Sequence, residues 1–414
     1  MDSVSSEHVT ANNSMGRTGP LSGVVVLDIT RVVAGPYCSM MLADMGATVI
    51  KVENPADPDY ARTFPPFAGD AQFSAFFSQY NRNKKAITLN LKSEEGKTIL
   101  KALVKKANIL IENFRPGTMD KLGLGYEVLA KENPALIYTA ISGFGRTGPN
   151  SSRPAFDNTG QAVGGLWSMN GYEDRPPVRV GTIIGDLSAS LYAAVGTVAA
   201  LREAERSGIG QVVDVSQQDS VLSLTENAVI RYTLENDVAS PIGNNHPFVR
   251  PYGQYPCKDG YVFFGGYTDK FWKISCQLFG NAELVNDPEI DTMEKRFNED
   301  TYKRRIEPIL NNWFSRYTKA ELEEIAGDKI PLSAIKTIAE VVEDPHVIAR
   351  KMIVDVPVDT QMVRMIGNPI HLSNMGSPKM DQAPNVGADN AEIYSSLLGF
   401  SSEDIEHLRA EGTL

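Results

Sequence analysis

The feature that most constrains this chain is a rhythm that begins at residue 21 and then repeats. Residues 21–30 form a β-branched and aliphatic run that reads as a buried strand, and residues 31–36 follow as a loop. Pro36 stands where proline opens a helix, here over 37–45; Gly46 and Ala47 stop it, and residues 48–53 are the next strand. A strand, a helix and a strand joined this closely imply a parallel pair with a right-handed crossover. The order returns in a strand at 86–90, an amphipathic helix at 93–106, and strands at 109–112, 136–142 and 212–215. The expected fold class is therefore α/β, with a parallel sheet. In such sheets ligands gather at the carboxyl ends of the strands, which points to the loops at 31–36, 113–117 and 143–148.

Glu53 ends the second strand where an acid holds the ribose of a dinucleotide. The loop after the first strand lacks G-x-G-x-x-G, however, so a nicotinamide dehydrogenase is disfavoured. A different stretch, residues 178–201, carries the main chemical candidate. A short apolar run breaks at Gly185, and Leu187, Leu191, Val195 and Val198 then recur at helical spacing, which predicts a helix with those four on its buried face. Asp186 falls in its first turn, where unpaired N–H groups and the helix dipole favour a carboxylate. An aspartate there is ordinarily a cap. The small residues around it, Gly185, Ser188, Ala189, Ser190, Ala193 and Ala194, would also let a bulky reactant approach, so spacing alone leaves cap and nucleophile both open.

At 414 residues there is room for two domains. A polar tail is expected over 1–20, the first part of a large domain over 21–225, a linker over 226–256, a small α+β domain over 257–328 and a return segment over 329–414. A long helix is expected over 217–234. The formal net charge of -11 disfavours a general binder of nucleic acid or of anionic membrane, while leaving room for a local basic pocket. On composition alone Arg82, Lys84 and Lys85 read as a solvated basic face. Cys38, Cys257 and Cys276 lie far apart, and the five histidines are scattered, so neither a disulfide framework nor a metal motif is expected and a cytoplasmic location is. No apolar run is expected to reach membrane-spanning length.

Several ordered stretches then act together: residues 21–30 with Ala34, Gly35 and Pro36; residues 42–53; 81–85; 112–117; 141–145; Gly185 with Asp186; Asp344 and Pro345 with Ala349 and Arg350; and 397–399. In these the chain resembles the class III coenzyme A transferases, of the formyl-CoA transferase and carnitine CoA-transferase type, over nearly its whole length after the tail. The resemblance implies a Rossmann-like large domain completed by the C-terminal segment, a smaller central domain, and two subunits interlocked as a homodimer. It implies that Asp186 attacks the acyl-CoA thioester, passing through an aspartyl anhydride and an aspartyl-CoA thioester, so that CoA moves to a free carboxylic acid. No permanent cofactor is implied; coenzyme A is substrate and product.

The same resemblance implies that Arg62, Lys84, Lys85 and Lys121 lie near the phosphates and adenine of CoA, that Asn113 and Phe114 line its groove, and that Val33, Ala34, Gly143 and Phe144 border the thioester. The chain departs from the pattern at Val33, where formyl-CoA transferases carry a glutamine, and in having only Gly265 and Gly266 where they have a run of glycines. The acyl pocket therefore does not carry over. Arg31, Arg153, Arg179 and Arg250 are each able to bind a second carboxylate, which favours a dicarboxylate such as succinate. The related α-methylacyl-CoA racemases use a histidine where this chain has Phe156, which cannot move a proton, so a racemase is a minor alternative. A non-catalytic CoA-binding protein is the other, and it leaves Asp186 without a role.

Overall fold

A computed structural model describes residues 18–376 and 379–414; most of the expected polar tail lies outside the described residues. The chain divides into two compact units. The first comprises Met1–Trp167, Arg179–Asp237 and Ile348–Leu414, the second Ser168–Val178 and Val238–Val347.

The first unit is built on a parallel sheet of β1 (Val25–Asp28), β2 (Thr48–Glu53), β3 (Lys85–Thr88), β4 (Ile109–Glu112), β5 (Ile137–Ser142) and β6 (Gln211–Ser216), in the spatial order β3-β2-β1-β4-β5-β6. Strand order reverses between β1 and β4, which opens a crevice at their carboxyl ends. Side chains alternate across the sheet. Val25 and Leu27 join Ile50, Ile87, Leu110 and Tyr138 on one face. Val26 joins Val49, Ile109 and Ile137 on the other.

The first face is covered by the helix Glu94–Val104, together with Asn390–Leu398 and Ser402–Ala410 from the C-terminal return. That return also seals the sheet edge. Asn390 Oδ1 accepts from Thr88 N (2.8 Å), and Tyr394 OH donates to Thr88 O (2.6 Å). Such cover is how an edge strand is kept from pairing further. The second face is covered by α1 (Ala34–Asp44) and by a long helix, Ile184–Ser207, which carries Asp186.

That long helix corrects two expectations. Its buried face is the small-residue one, including Ala189, Ala193, Thr197 and Ala200, while Leu191, Val195 and Val198 are 46%, 70% and 37% exposed. Close approach decides this: a Cβ on Gly196 would lie 2.8 Å from Val213 Cγ1 on β6, so small side chains predominate beneath the helix, Leu201 near its end being the large one. The helix is also long and apolar enough to cross a membrane, contrary to the expectation that no run would be, yet half of that span is buried inside the unit.

The helix expected over 217–234 is two, Gln217–Leu222 and Ala228–Glu235, separated by a turn in which Glu226 takes a left-handed φ of 53°. The expected linker at 226–256 thus holds a helix and most of a strand. The second unit is an antiparallel sheet of β7 (Gly253–Cys257), β8 (Gly260–Phe264) and β9 (Leu332–Ala334), in the order β9-β8-β7, packed with helices around Trp272, Phe279, Trp313 and Phe314. It extends beyond the expected 257–328 on both sides and takes in Ser168–Val178, a segment with no compositional mark of its own.

Candidate active site

The loop between β1 and α1 rests on buried ion pairs. Asp28 ends β1 and accepts from Thr30 N (3.0 Å), from Ser39 Oγ (2.7 Å) and from Lys84 Nζ (2.9 Å). Lys51, on β2, donates to Asp59 Oδ2 (3.0 Å) and to Thr30 O (2.9 Å). Asp59 in turn accepts from Val32 N (3.1 Å) and Ala61 N (3.0 Å). Val32 has a φ of 67°, a region where a β-branched residue is an outlier, and the Asp59 carboxylate holds it there.

All four charged side chains are buried. Burial pushes the Lys84 ammonium down to about 8, only partly offset by Asp28. Burial also acts on Asp28, but Lys84, Lys51 and the hydroxyls of Thr30 and Ser39 hold it well below the usual carboxylate range.

This arrangement sets the start of α1, whose N-cap residue Val33 supplies no side-chain cap, over a cavity of about 220 Å³. The cavity collects the ends of β1 (Arg31 to Ala34), β4 (Asn113, Phe114) and β5 (Ser142, Gly143), together with Tyr60, Phe156, Asp186 and Gln217. Asn113 ties two of these loops together: its Oδ1 accepts from Arg31 N (2.9 Å) and its Nδ2 donates to Arg31 O (2.8 Å). A second hollow of about 180 Å³ shares Arg31 and Phe114 and continues past Glu53, Asn54, Lys92 and Thr118. A larger cavity, about 590 Å³, lies elsewhere in the unit, beside Arg350 and His371. It lacks an acid poised as Asp186 is.

Asp186 lies in the first turn of its helix, yet its side chain caps nothing. The N–H groups of Gly185 and Asp186 are taken by Asp157 Oδ1 (2.8 and 3.3 Å), and Gln161 Nε2 donates to Asp157 Oδ2 (2.8 Å). The capping carboxylate is therefore Asp157, and Asp186 is left facing the cavity. Its only side-chain hydrogen bond among the described residues comes from Gln217 Nε2. Burial first, and the charge of Asp157 second, push its carboxyl up to about 7 against the lowering pull of Gln217. No cation pairs with it among the described residues. A carboxyl with so elevated a pKa, facing a cleft at strand ends, marks a candidate functional site.

Of the residues singled out in the sequence, Val33, Ala34, Asn113, Phe114 and Gly143 meet Asp186 around one cavity. Others are elsewhere. Lys84 is sealed in its pair with Asp28, so its expected place at a phosphate is corrected. Arg62 is held by Glu53 (2.6 Å) and by Pro384 O, with its guanidinium stacked on Phe77, and Lys85 pairs with Glu392. Phe144 is buried beneath the Arg153 guanidinium rather than lining the cavity. Lys121 is exposed, on the short helix Thr118–Lys121 whose first residue borders the second hollow.

Among the arginines, Arg31 lines both hollows and pairs with Asp57 (2.9 Å). Arg250 belongs to the second unit, where it pairs with Glu299. Sequence reasoning missed Asp157, Gln217 and Tyr60. The one signal for Asp157 was its place beside Phe156, in the segment compared with the racemases.

Residues 21–390 match the family described as CoA-transferase family III. A succinyl-CoA:mesaconate CoA-transferase of Haloarcula hispanica is 35% identical over 91% of this chain and 96% of its own length. A succinyl-CoA–D-citramalate CoA-transferase of Chloroflexus aurantiacus is 36% identical over 95% and 97%. Among solved structures, a CAIB/BAIF family protein from Brucella suis superposes with a TM-score of 0.81 at 33% identity, covering 92% of this chain and all of that one. The chain belongs to the class III CoA-transferases, enzymes that move coenzyme A from an acyl-CoA to a carboxylic acid.

Proposed function

We propose that Asp186 is the nucleophile of this transfer. The observation that carries the reading is a cavity-facing carboxyl relieved of capping duty by Asp157 and without a cation partner among the described residues. One oxygen, Oδ2, attacks the acyl carbon of the donor thioester, and the C–S bond breaks to give the aspartyl anhydride and CoA thiolate. The uncapped first turn of α1 at Val33 and Ala34 supplies backbone N–H groups for the charge that develops on the acyl oxygen. Thiolate then attacks Cγ of Asp186, releasing the donor acid and leaving an aspartyl-CoA thioester. The acceptor acid attacks that thioester, and the thiolate finally takes the new acyl group from the second anhydride.

CoA runs from the cavity along the hollow past Arg31 and Phe114 and out over the surface, with Arg31 and Lys92 of its lining and the exposed Lys121 beside it as phosphate partners in place of Lys84 and Arg62. Arg31 is equally the residue for a second carboxylate, and both relatives are named for dicarboxylic acids. A dicarboxylate pair with succinyl-CoA as donor is the substrate class that supports best. The exposed stripe of Leu191, Val195 and Val198 supports the homodimer, interlocked as in the resemblance of the sequence, since apolar stripes of that kind mark interfaces.

The test is mass spectrometry after the protein meets succinyl-CoA and then hydroxylamine. A hydroxamate on Asp186 alone is expected, with a panel of acids read by chromatography for new CoA esters. Labelling elsewhere, or undiminished turnover in Asp186→Ala, overturns the assignment.

A further inference from the structure

Gln217 is the second side chain that touches the reacting carboxyl. It is buried, and it opens the helix Gln217–Leu222 directly after β6. Its backbone is tightly placed. Ser216 Oγ caps the helix by accepting from Asp219 N (3.0 Å), and Gln218 N donates to Gly143 O (3.1 Å). Gly160 lies so near that a Cβ there would come within 2.6 Å of Gln217 Cβ. From this fixed base Nε2 donates to Asp186 Oδ1, while the other end of the amide, Oε1, is buried with no donor among the described residues. A carboxylate only accepts, so it selects the amide end that donates.

The chemistry proposed for Asp186 places charge on that same Oδ1. When the CoA thiolate bonds to Cγ of the anhydride, the Cγ–Oδ1 π pair moves onto Oδ1. When it returns, the Cγ–Oδ2 bond breaks and the donor acid leaves as its carboxylate. When the acceptor carboxylate bonds to Cγ of the aspartyl thioester, the pair moves onto Oδ1 again, and on its return the Cγ–S bond breaks to free the thiolate. In both steps the oxyanion belongs to the enzyme's own side chain, and Nε2 is already at hydrogen-bonding distance of the atom that becomes negative.

We propose that Gln217 is a catalytic residue, the oxyanion donor for attack at the aspartyl carbon. It leaves the first acylation, where the charge develops on the substrate's oxygen, to other groups. This rests on the reading of Asp186 as nucleophile.

The experiment uses full-length protein with succinyl-CoA alone, quenched over time and read by intact mass, for wild type, Gln217→Met and Gln217→Glu. The expected result is that the CoA adduct on Asp186 forms about 10²–10³-fold more slowly in Gln217→Met. Hydroxylamine should still capture the anhydride at Asp186, and the KM for succinyl-CoA should stay within a few-fold. At pH 8 Gln217→Glu, which keeps the shape but repels negative charge on Oδ1, should be slower than Gln217→Met.

A merely structural role gives the opposite order, with the isosteric Glu nearer wild type, and overturns the proposal. Equal loss of anhydride and CoA adduct in Gln217→Met, or a CoA adduct formed at the wild-type rate, overturns it too while leaving Asp186 as nucleophile. Absence of any adduct from the wild-type protein overturns the Asp186 reading instead. Thermal unfolding of each variant checks that the fold is retained.

Discussion

The carboxyl of Asp186 is held against its own charge. Its pKa is raised from the ordinary aspartate value to about 7, so the folded state binds its proton more tightly than the unfolded chain does. Stability contributed by the neutral form is fully present below about pH 4 and is lost as pH rises through about 7. Asp186→Asn should therefore unfold at a higher temperature than wild type at pH 8, by the equivalent of about 1–3 kcal/mol, with the gap closing toward pH 4. Calorimetry across pH checks this, and the same variant should be inactive.

Nucleophilic attack needs the anion, so kcat should rise with pH to a plateau with a midpoint near 7. Asp157→Asn still offers an oxygen to the N–H groups of Gly185 and Asp186 but removes a like charge, so that limb should move to lower pH. The sequence placed Asp186 correctly in a first helical turn. It did not reveal Asp157 or Gln217, because the contacts that give those residues meaning join positions 29 and 31 apart in the chain.

Strands and their order of appearance were readable because a buried parallel strand leaves an unbroken apolar run. The orientation of the long helix was not. Its large apolar residues suggested a buried stripe, but close approach to α1 and β6 puts Gly, Ala, Ser and Thr on most of the inner face, with Leu201 the large residue among them near the far end. Ala193→Leu should consequently destabilise the first unit by about 1–3 kcal/mol through overpacking, measured by chemical denaturation.

The basic cluster at 82–85 was misread for a related reason. Charge alone signals solvent, whereas Arg82 and Lys84 are buried against Asp44 and Asp28. Lys84→Met leaves Asp28 without its nearest ammonium and should cost about 3–5 kcal/mol of stability. The KM for succinyl-CoA at a temperature where the variant is folded should stay within about twofold of wild type, whereas Arg31→Ala should raise it at least tenfold.

At the scale of the molecule, the outer stripe of the long helix defines a face that a soluble monomer rarely leaves bare. Val195→Asp, central and 70% exposed, should shift the protein toward monomer in analytical ultracentrifugation. If the homodimer completes the site, turnover should fall with it. The return of the chain to seal the β3 edge was legible from the C-terminal resemblance alone, since no local pattern in residues 390–410 names Thr88 as their partner. The change of composition at 241–256 lies inside the second unit, whose longer segment begins at Val238, so it marks the neighbourhood of the division and not its boundary. Ser168–Val178 carries no such change and joins the second unit unannounced.

The sealed quartet of Asp28, Lys51, Asp59 and Lys84 has an evolutionary reading. Every member is committed to another, so a substitution at any one of them endangers folding before it alters which acid is accepted. Heritable changes in substrate preference must then accumulate on the open margin, at Tyr60 and Phe156, where a new side chain disturbs no ion pair beneath the loop. Divergence of this kind leaves the base of the pocket invariant while its occupants change.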